Sequence, residues 1–204
     1  MVESGLFYST FVDPLLVKIR KKTAGHIAPG QKIVDIACGT GALVFELAKK
    51  ADFVLGIDLS PSMIKKASHT KKKHGIQNTE FRVCDASGLT TLNKHEFDVA
   101  TLSLALHQFS PQLYNSVLNE MKRISKKIII VDYAVPLPEN FWGTGSKAIE
   151  YLAGREHYRN FRTFYKNGGL ESILKENDMT IETAEYFVQN IFHLVVAHPN
   201  HSKQ

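Results

Sequence analysis

The sequence predicts an α/β protein whose doubly wound, mostly parallel sheet is covered by helices on both faces. Short apolar runs alternate along the chain with segments of helical periodicity, as they do in successive βα units. The run Ile128-Ile-Ile-Val131 is continuously apolar, which is typical of a parallel strand buried on both faces. Near the end of the chain only Gln189-Asn190 separates two extended runs, and two residues cannot form a parallel crossover. We therefore expect seven strands in a three-layer α/β/α sandwich that ends in an antiparallel hairpin.

The strands are assigned from these apolar runs. An amphipathic segment at 6–22 comes first and carries an apolar stripe with the period of a helix. Strands are then predicted at 32–37, 53–57, 80–84, 97–102, 127–133, 180–188 and 191–197.

The helices between the strands have recognisable ends. Ser60 and Ser110 each precede a proline, and a capping hydroxyl followed by proline is typical of a helix start. Gly75 is expected to end the helix that follows Ser60. Further helices are predicted at 42–50 and 168–176.

The composition is that of one globular domain. The chain has 204 residues, of which 44% are hydrophobic and 22% are charged, and its formal net charge is +5. This mild positive excess does not select a partner class. The two cysteines, Cys38 and Cys84, exclude a disulfide framework and favour a cytoplasmic protein with reduced thiols. We expect neither export nor a membrane span. The first residues do not have the basic region and apolar stretch of a signal peptide, and no apolar run is long enough to cross a membrane.

A glycine-rich turn follows the first predicted strand. Gly39 and Gly41 allow the backbone to turn tightly and to approach a ligand, and the helix that starts at residue 42 offers free amide donors. A nucleotide-like ligand would fit there. Taken alone, however, the pair of glycines is a weak signal and is more typical of an ordinary strand-to-helix turn.

Two acids at the ends of the next strands support a ligand site. Asp58 follows Gly39 by 19 residues, a spacing at which an acid can accept both hydroxyl groups of a ribose. Asp85 ends the third strand, at the edge where open α/β sheets bind ligands. Either acid alone could instead be a solvated loop residue or a helix cap. Their occurrence at the ends of successive strands favours the ligand.

The details of the glycine turn indicate which ligand. Val44 occupies the position where a dinucleotide fingerprint has its third small residue, and the Lys of a P-loop is absent. Asp35, just before the turn, would repel a pyrophosphate. A negative site beside free amides suits a ligand that carries an ammonium or sulfonium group next to a carboxylate.

Four segments resemble the successive motifs of class I S-adenosylmethionine-dependent methyltransferases. They are Val34-Asp-Ile-Ala-Cys-Gly-Thr-Gly41, Gly56-Ile-Asp-Leu-Ser60, Cys84-Asp-Ala86 and Phe97-Asp-Val-Ala-Thr-Leu-Ser-Leu-Ala-Leu-His107. The resemblance covers about residues 7–198. Within that superfamily, Ala105-Leu-His107 and the stretch from Tyr151 through Phe164 to Gly168-Gly-Leu-Glu-Ser-Ile173 are similar, more loosely, to methyltransferase type 11 and the ubiquinone and menaquinone C-methyltransferases. The resemblance implies a Rossmann-like fold in which 1–27 form a helical cap, 28–134 the cofactor-binding core and 135–198 the acceptor side.

The same resemblance implies a set of cofactor-binding residues. Asp58 would hold the ribose, Leu59 and Met63 would pack on adenine, and Ser103 would lie near the transferable methyl group. The full set is Asp35, Ala37, Gly39, Gly41, Asp58, Leu59, Met63, Asp85, Ala86 and Ser103. Ala37 departs from the family pattern, where glycine is common, and we expect only a slight shift of the loop. Asp98 also fits the pattern, but we interpret it as structural.

Candidate acceptor-side residues follow the fourth and fifth strands. His107 and Tyr133 are candidate catalytic groups expected near the cofactor, although either could equally be a packing residue. On one continuous helix, Tyr151, Arg155, Tyr158 and Arg162 would share a face able to hold an anionic or aromatic acceptor. The alternative is a helix with aromatic residues in the core and solvated basic groups. Tyr8 could contribute to a lid, or simply dock its helix.

These observations predict a methyltransferase that acts on a small, anionic, aromatic or quinone-like molecule and releases S-adenosylhomocysteine. Cys38 has no evident base beside it, so we do not expect a nucleophile there. We assign no metal ligands, and we expect a monomer or homodimer that does not bind nucleic acid. An RNA or protein methyltransferase and a non-catalytic S-adenosylmethionine-binding protein are the alternatives.

Overall fold

The computed structural model describes residues 13–200 and has a single sheet of seven strands. The strands are β1 (Lys32–Ile36), β2 (Phe53–Asp58), β3 (Thr79–Val83), β4 (Phe97–Ser103), β5 (Ser125–Tyr133), β6 (Met179–Phe187) and β7 (Phe192–Pro199). Their order across the sheet is β3-β2-β1-β4-β5-β7-β6, and β7 alone runs opposite to the other six strands. The predicted fold class is confirmed.

The helices cover both faces of this sheet. They are α1 (Asp13–Gly25), α2 (Ala42–Leu47), α3 (Pro61–His74), α4 (Pro111–Ile124), α5 (Phe141–Leu152), α6 (Arg155–Lys166) and α7 (Gly169–Glu176), with a 3-10 turn, η1 (Leu106–Gln108), between β4 and α4. Ser60 and Ser110 are the N-cap residues of α3 and α4, as predicted. Gly75 ends α3 with a positive φ of 65°. No helix within residues 13–200 is long and apolar enough to cross a membrane.

The core lies between the sheet and the two helical layers. Residues Ile128, Ile129, Ile130 and Val131 of β5 are all 0% exposed, which explains why that strand is apolar at every position. On the helical side, Val117, Leu118, Met121 and Ile124 of α4 are buried as well. A continuous core of this kind fixes the positions of the strand ends.

The register of the central strands brings the predicted site residues to one edge. Ile36 of β1 pairs with Ile57 of β2 and with Leu102 of β4. The residues that follow these three positions therefore leave the sheet at the same level. Asp58 pairs with Val83 of β3, so the acid at the end of β2 lies beside the strand that leads to Asp85.

The terminal hairpin has the predicted topology but a longer turn. β6 ends at Phe187 and β7 begins at Phe192, so that four residues connect them instead of two. Three of these, Val188, Gln189 and Asn190, have φ values of 51°, 53° and 63°. Successive left-handed residues reverse the direction of the chain. Because residue 188 is apolar, the sequence pattern assigned it to the strand and did not indicate that it belongs to the turn.

The predicted continuous helix through residues 151–162 is wrong. α5 ends at Leu152 and α6 begins at Arg155, and Gly154 between them has a φ of 123°. Residues with a Cβ rarely adopt this conformation, so the glycine breaks the helix. Tyr151 thus belongs to α5. Tyr8 and the first half of the predicted segment 6–22 lie outside the described residues.

Candidate functional site

The glycine-rich loop after β1 is a succession of left-handed residues. The φ values of Ala37, Gly39 and Gly41 are 54°, 54° and 80°. At Gly41 a Cβ atom would lie 2.7 Å from the ring of Phe81, so a side chain is excluded there by space as well as by conformation. Ala37 tolerates its left-handed conformation as a small residue, although glycine would adopt it with less strain. The sequence thus specifies a loop whose backbone curls above the sheet edge.

Asp58 fastens this loop to the end of β2. Its Oδ2 atom accepts the backbone N–H of Gly39 over 2.8 Å, and its Oδ1 atom accepts that of Ser60, also over 2.8 Å. A carboxylate offers about four acceptor positions, so two remain available to a ligand. Asp58 is therefore part of the loop's structure and is also able to accept further donors.

Asp35 is a buried acid on the floor of the site. It is 2% exposed, and Thr101 Oγ1 donates a hydrogen bond of 2.6 Å to its Oδ1 atom. Burial and, to a smaller extent, the charge of Asp58 raise the pKa of Asp35 to about 7, although the hydrogen bond from Thr101 opposes the shift. Burial and the same two carboxylates raise the pKa of the Cys38 thiol far above its ordinary range. Cys38 thus remains protonated and inert.

These elements enclose a cavity of about 680 Å³ at the sheet edge. Of the ten predicted cofactor-binding residues, the structure places nine on its wall: Asp35, Ala37, Gly39, Asp58, Leu59, Met63, Asp85, Ala86 and Ser103. Gly41 lies behind the wall as the N-cap residue of α2. The predicted residues, which are scattered over almost seventy positions of the sequence, therefore converge.

Several wall residues were not predicted. Arg20 of α1 is the only positively charged residue among the described wall residues, and it makes no ion pair within residues 13–200. Leu104, Ala105, Gln108 and Phe109 form the wall beyond β4. Arg20 had no signal in the sequence beyond its place in an amphipathic segment. Gln108 directly follows the fourth motif, which ends at His107, so its position in the sequence could have predicted that it lies near the site.

Asp85 and Asp98 differ in position and surroundings. Asp85 lies at the cavity, and hydrogen bonds from the backbone and the hydroxyl of Ser87 lower its pKa. Asp98 starts β4 at the opposite edge of the sheet, where it accepts the N–H of Lys32 and pairs with Lys126 over 2.9 Å. The structural interpretation of Asp98 fits this position.

His107 and Tyr133 lie behind the cavity wall. They are 2% and 9% exposed and are not among the residues that line the cavity, although Gln108, which follows His107, is one of them. His107 Nδ1 lies 2.6 Å from Asp132 Oδ1, and the Tyr133 hydroxyl donates to Glu150 Oε1 over 2.9 Å. Each side chain thus contacts a buried carboxylate, Asp132 of β5 or Glu150 of α5.

The electrostatics of this buried group are dominated by its acids. Burial alone would lower the pKa of His107, but the charge and hydrogen bond of Asp132, together with Glu150, raise it above its ordinary value. Burial and Glu150 raise the pKa of Tyr133 far above its ordinary range. Tyr133 is therefore a hydrogen-bond donor at neutral pH.

The remaining acceptor-side candidates form a basic and aromatic surface on α6. Arg155, Tyr158 and Arg162 line one depression, and the Arg162 guanidinium lies 6.0 Å from the ring centroid of Tyr158. Tyr151 meets Tyr158 edge to face, at 5.3 Å between centroids, although it lies on α5. A groove of about 440 Å³ lies between this surface and the cavity: it shares Arg155 with the surface and Gln108 with the cavity wall.

A parallel sheet with a glycine-rich first loop and acids at the ends of β2 and β3 defines a nucleoside-binding α/β protein. Comparison with known proteins identifies the group more closely. The chain belongs to the methyltransferase domain family, whose model matches residues 27–184. This confirms the resemblance to S-adenosylmethionine-dependent methyltransferases.

Two relatives and one solved structure are similar to this chain, and the solved structure supports the fold alone. The chain is 30% identical over 129 residues to a demethylmenaquinone methyltransferase from Corynebacterium kroppenstedtii, which is 62% of this chain and 52% of the relative. It is 27% identical over 158 residues to the ribosomal protein L11 methyltransferase of Thermus thermophilus, 76% of this chain and 61% of the relative. A structure of a SAM-dependent methyltransferase from Aquifex aeolicus has a TM-score of 0.64 at 19% identity, covering 89% of this chain and 87% of that one. The chain thus spans roughly half to three fifths of the curated relatives.

Proposed function

We propose that the chain transfers the methyl group of S-adenosylmethionine to a small-molecule acceptor. The observation that carries the proposal is the cavity between the glycine loop and Asp58. It combines a buried acid, two acids at the rim and one arginine. This is the charge pattern that a zwitterionic amino acid joined to a nucleoside would complement.

Different residues of the cavity wall suit different chemical groups of this cofactor. Asp35 and Arg20 both line the cavity, where Asp35 would pair with the ammonium group and Arg20 with the carboxylate. Asp58 retains acceptor positions for the ribose hydroxyls, while Asp85 and the amide of Ala86 face the adenine edge.

Two apolar side chains support the adenine position. Leu59 is 71% exposed and Met63 is 36% exposed, although both lie on the cavity wall. Exposed apolar side chains at the mouth of a cavity are typical of a ligand-binding surface. An adenine ring between them would remove their apolar surface from water.

The catalytic contribution of the chain is mainly one of alignment. When bound, the cofactor supplies a methyl group activated by a positively charged sulfur. Ser103 and Leu104 at the end of β4 position the reacting groups, and Phe109 and Leu113 exclude water. An oxygen or carbon acceptor must also lose a proton, and His107 and Tyr133 stay the candidate groups for influencing that step.

The acceptor side is proposed to be the groove that joins the cavity at Gln108. Its continuation over Arg155, Tyr158 and Arg162 suits a molecule with an anionic or aromatic part. The demethylmenaquinone methyltransferase relative supports a quinone-like acceptor.

The proposal is tested by incubating the protein with methyl-labelled S-adenosylmethionine and separate fractions of metabolites, RNA and protein. We expect label in the metabolite fraction. Label only in RNA or protein would contradict the acceptor class. Binding of the cofactor without any labelled product would identify a non-catalytic binding protein.

A further inference from the structure

Three potential metal ligands meet behind the cavity wall. They are His107 of η1, Glu150 of α5 and His157 of α6, and one nitrogen or oxygen atom of each lies within 4.8 Å of the others. Two imidazoles and one carboxylate are the ligand set of many zinc and iron sites in proteins. No metal ligands were predicted from the sequence, because the three residues lie on separate elements and their spacing matches no known metal-binding motif.

The neighbouring groups orient two of these ligands. Asp132 Oδ1 lies 2.6 Å from His107 Nδ1, and a proton on Nδ1 leaves the lone pair of Nε2 directed toward Glu150 Oε2 at 3.6 Å. Tyr133 donates its hydroxyl to Glu150 Oε1 and leaves Oε2 available. A carboxylate on the far nitrogen of a ligating histidine is the usual outer partner in metal sites.

Glu150 has an oxygen that the protein does not satisfy. Its side chain is 6% exposed, yet Oε2 accepts no hydrogen bond from the described residues. His157 Nε2 lies 2.5 Å away, without the geometry of a hydrogen bond. Burial of an unsatisfied carboxylate oxygen is costly, so this atom is directed at a position where a cation would be bound favourably.

The two buried carboxylates of this cluster also favour a bound cation. Asp132 and Glu150 are 0% and 4% exposed, and no lysine or arginine within residues 13–200 pairs with either. One divalent cation would balance the charges of these two carboxylates.

The distances require only a small adjustment. Tetrahedral coordination with bonds of roughly 2.1 Å places neighbouring ligand atoms about 3.4 Å apart. The separation between His107 and Glu150 already matches, at 3.6 Å. His157 must move outward by about 1 Å, and its side chain has room because it is 25% exposed and borders the groove beside Gln108.

We propose that His107, Glu150 and His157 bind one divalent first-row transition metal ion of the zinc type, with Asp132 and Tyr133 as outer partners. The groove at His157 is the entry path for the ion. Magnesium and calcium prefer all-oxygen ligands and are not expected to compete. The proposal does not depend on the methyl acceptor or on cofactor binding.

The test is a zinc titration of chelator-treated protein with a competing chromogenic chelator, alongside elemental analysis. We expect one zinc ion per chain in the wild type and an affinity at least about 100-fold lower in His157→Gln and in Glu150→Gln. The Cobalt(II) form should have the visible absorption of a tetrahedral site. Tyr133 can still donate to the amide oxygen of the Glu150→Gln variant, and His157 is partly exposed, so both variants are expected to fold, which circular dichroism checks.

His198→Gln is the matched control. His198 also contacts a glutamate, with Nε2 2.6 Å from Glu182 Oε2, but it is exposed and lies on β7. We expect zinc binding in this variant to equal that of the wild type. Absence of stoichiometric zinc in the wild type, or equal binding in folded His157→Gln, would overturn the proposal.

Discussion

Gly39 donates its backbone N–H to Asp58 Oδ2 over 2.8 Å and thereby joins the loop after β1 to the end of β2. The same carboxylate also accepts the N–H of Ser60. One side chain thus fixes the loop that curls over the cavity and keeps free lone pairs for a ligand.

Replacement of Asp58 by alanine should affect both binding and stability. We expect the affinity for S-adenosylhomocysteine to fall by about 100-fold, because a charged acceptor of two hydroxyls is lost, and the free energy of unfolding to fall by about 1–3 kcal/mol. Calorimetric titration and urea unfolding measure the two effects. In the control Asp98→Ala, at the other edge of the sheet, affinity should be unchanged. Equal loss of affinity in the two variants would refute the role of Asp58.

Cofactor affinity should depend on pH through Asp35. The pKa of about 7 means that this acid is largely protonated at pH 6, whereas an ammonium partner needs the ionised form. We expect affinity for S-adenosylhomocysteine to rise about eightfold from pH 6.0 to 7.5, with release of a proton on binding at the lower pH. Calorimetry in buffers of different ionisation enthalpy measures this proton. An Asp35→Asn variant that retains the full pH dependence would contradict the assignment.

The same acid should destabilise the ligand-free protein at alkaline pH. Because the folded state raises the pKa of Asp35, the stability associated with its protonated form is complete below pH 4 and is lost as the pH rises through 7. We expect Asp35→Asn to raise the free energy of unfolding by about 2–4 kcal/mol at pH 8 and to have little effect at pH 4. Urea unfolding at the two pH values is the measurement. A variant less stable than the wild type at pH 8 would argue against a buried, ionised acid.

Arg20 should recognise the carboxylate of the cofactor. We expect Arg20→Met to weaken binding of S-adenosylhomocysteine about tenfold, while binding of methylthioadenosine, which lacks that carboxylate, stays the same. Titration with both ligands separates a lost ion pair from a damaged cavity. Lys18→Met, an exposed position on the same helix, is the control. If both ligands lost affinity equally, the variant would have altered the cavity instead.

Tyr133 should support the buried group without touching the cofactor. Tyr133→Phe removes the donor to Glu150 Oε1 and leaves a second oxygen of a buried carboxylate unsatisfied. We expect a loss of about 1–3 kcal/mol in unfolding free energy and no change in cofactor affinity, since the side chain lies behind the wall. Thermal unfolding and calorimetry are the two readouts. A large loss of affinity would place Tyr133 in the cavity.

The parts of the site that the sequence predicts are those defined by strand ends. Asp35, Asp58 and Asp85 could be placed at one edge because each lies within two residues of the end of a parallel strand, and parallel strands end together. The glycine loop was predictable because its positive φ values require particular residue types. These features depend on short stretches of chain.

The parts that were missed depend on packing between distant elements. Arg20 reaches the cavity only because α1 packs against α2 and β5. Glu150 and His157 meet His107 only through the docking of α5 and α6. Gly154 could have indicated that α5 ends before it. The helical spacing of the aromatic and basic residues on both sides of Gly154 instead favoured one continuous helix.

The most direct test is a crystal structure of the protein with S-adenosylhomocysteine. The account predicts density in the cavity of about 680 Å³, with the ribose hydroxyls on Asp58 and the amino acid part between Asp35 and Arg20. A ligand bound at any other surface, or a cavity closed by the protein's own side chains, would contradict it.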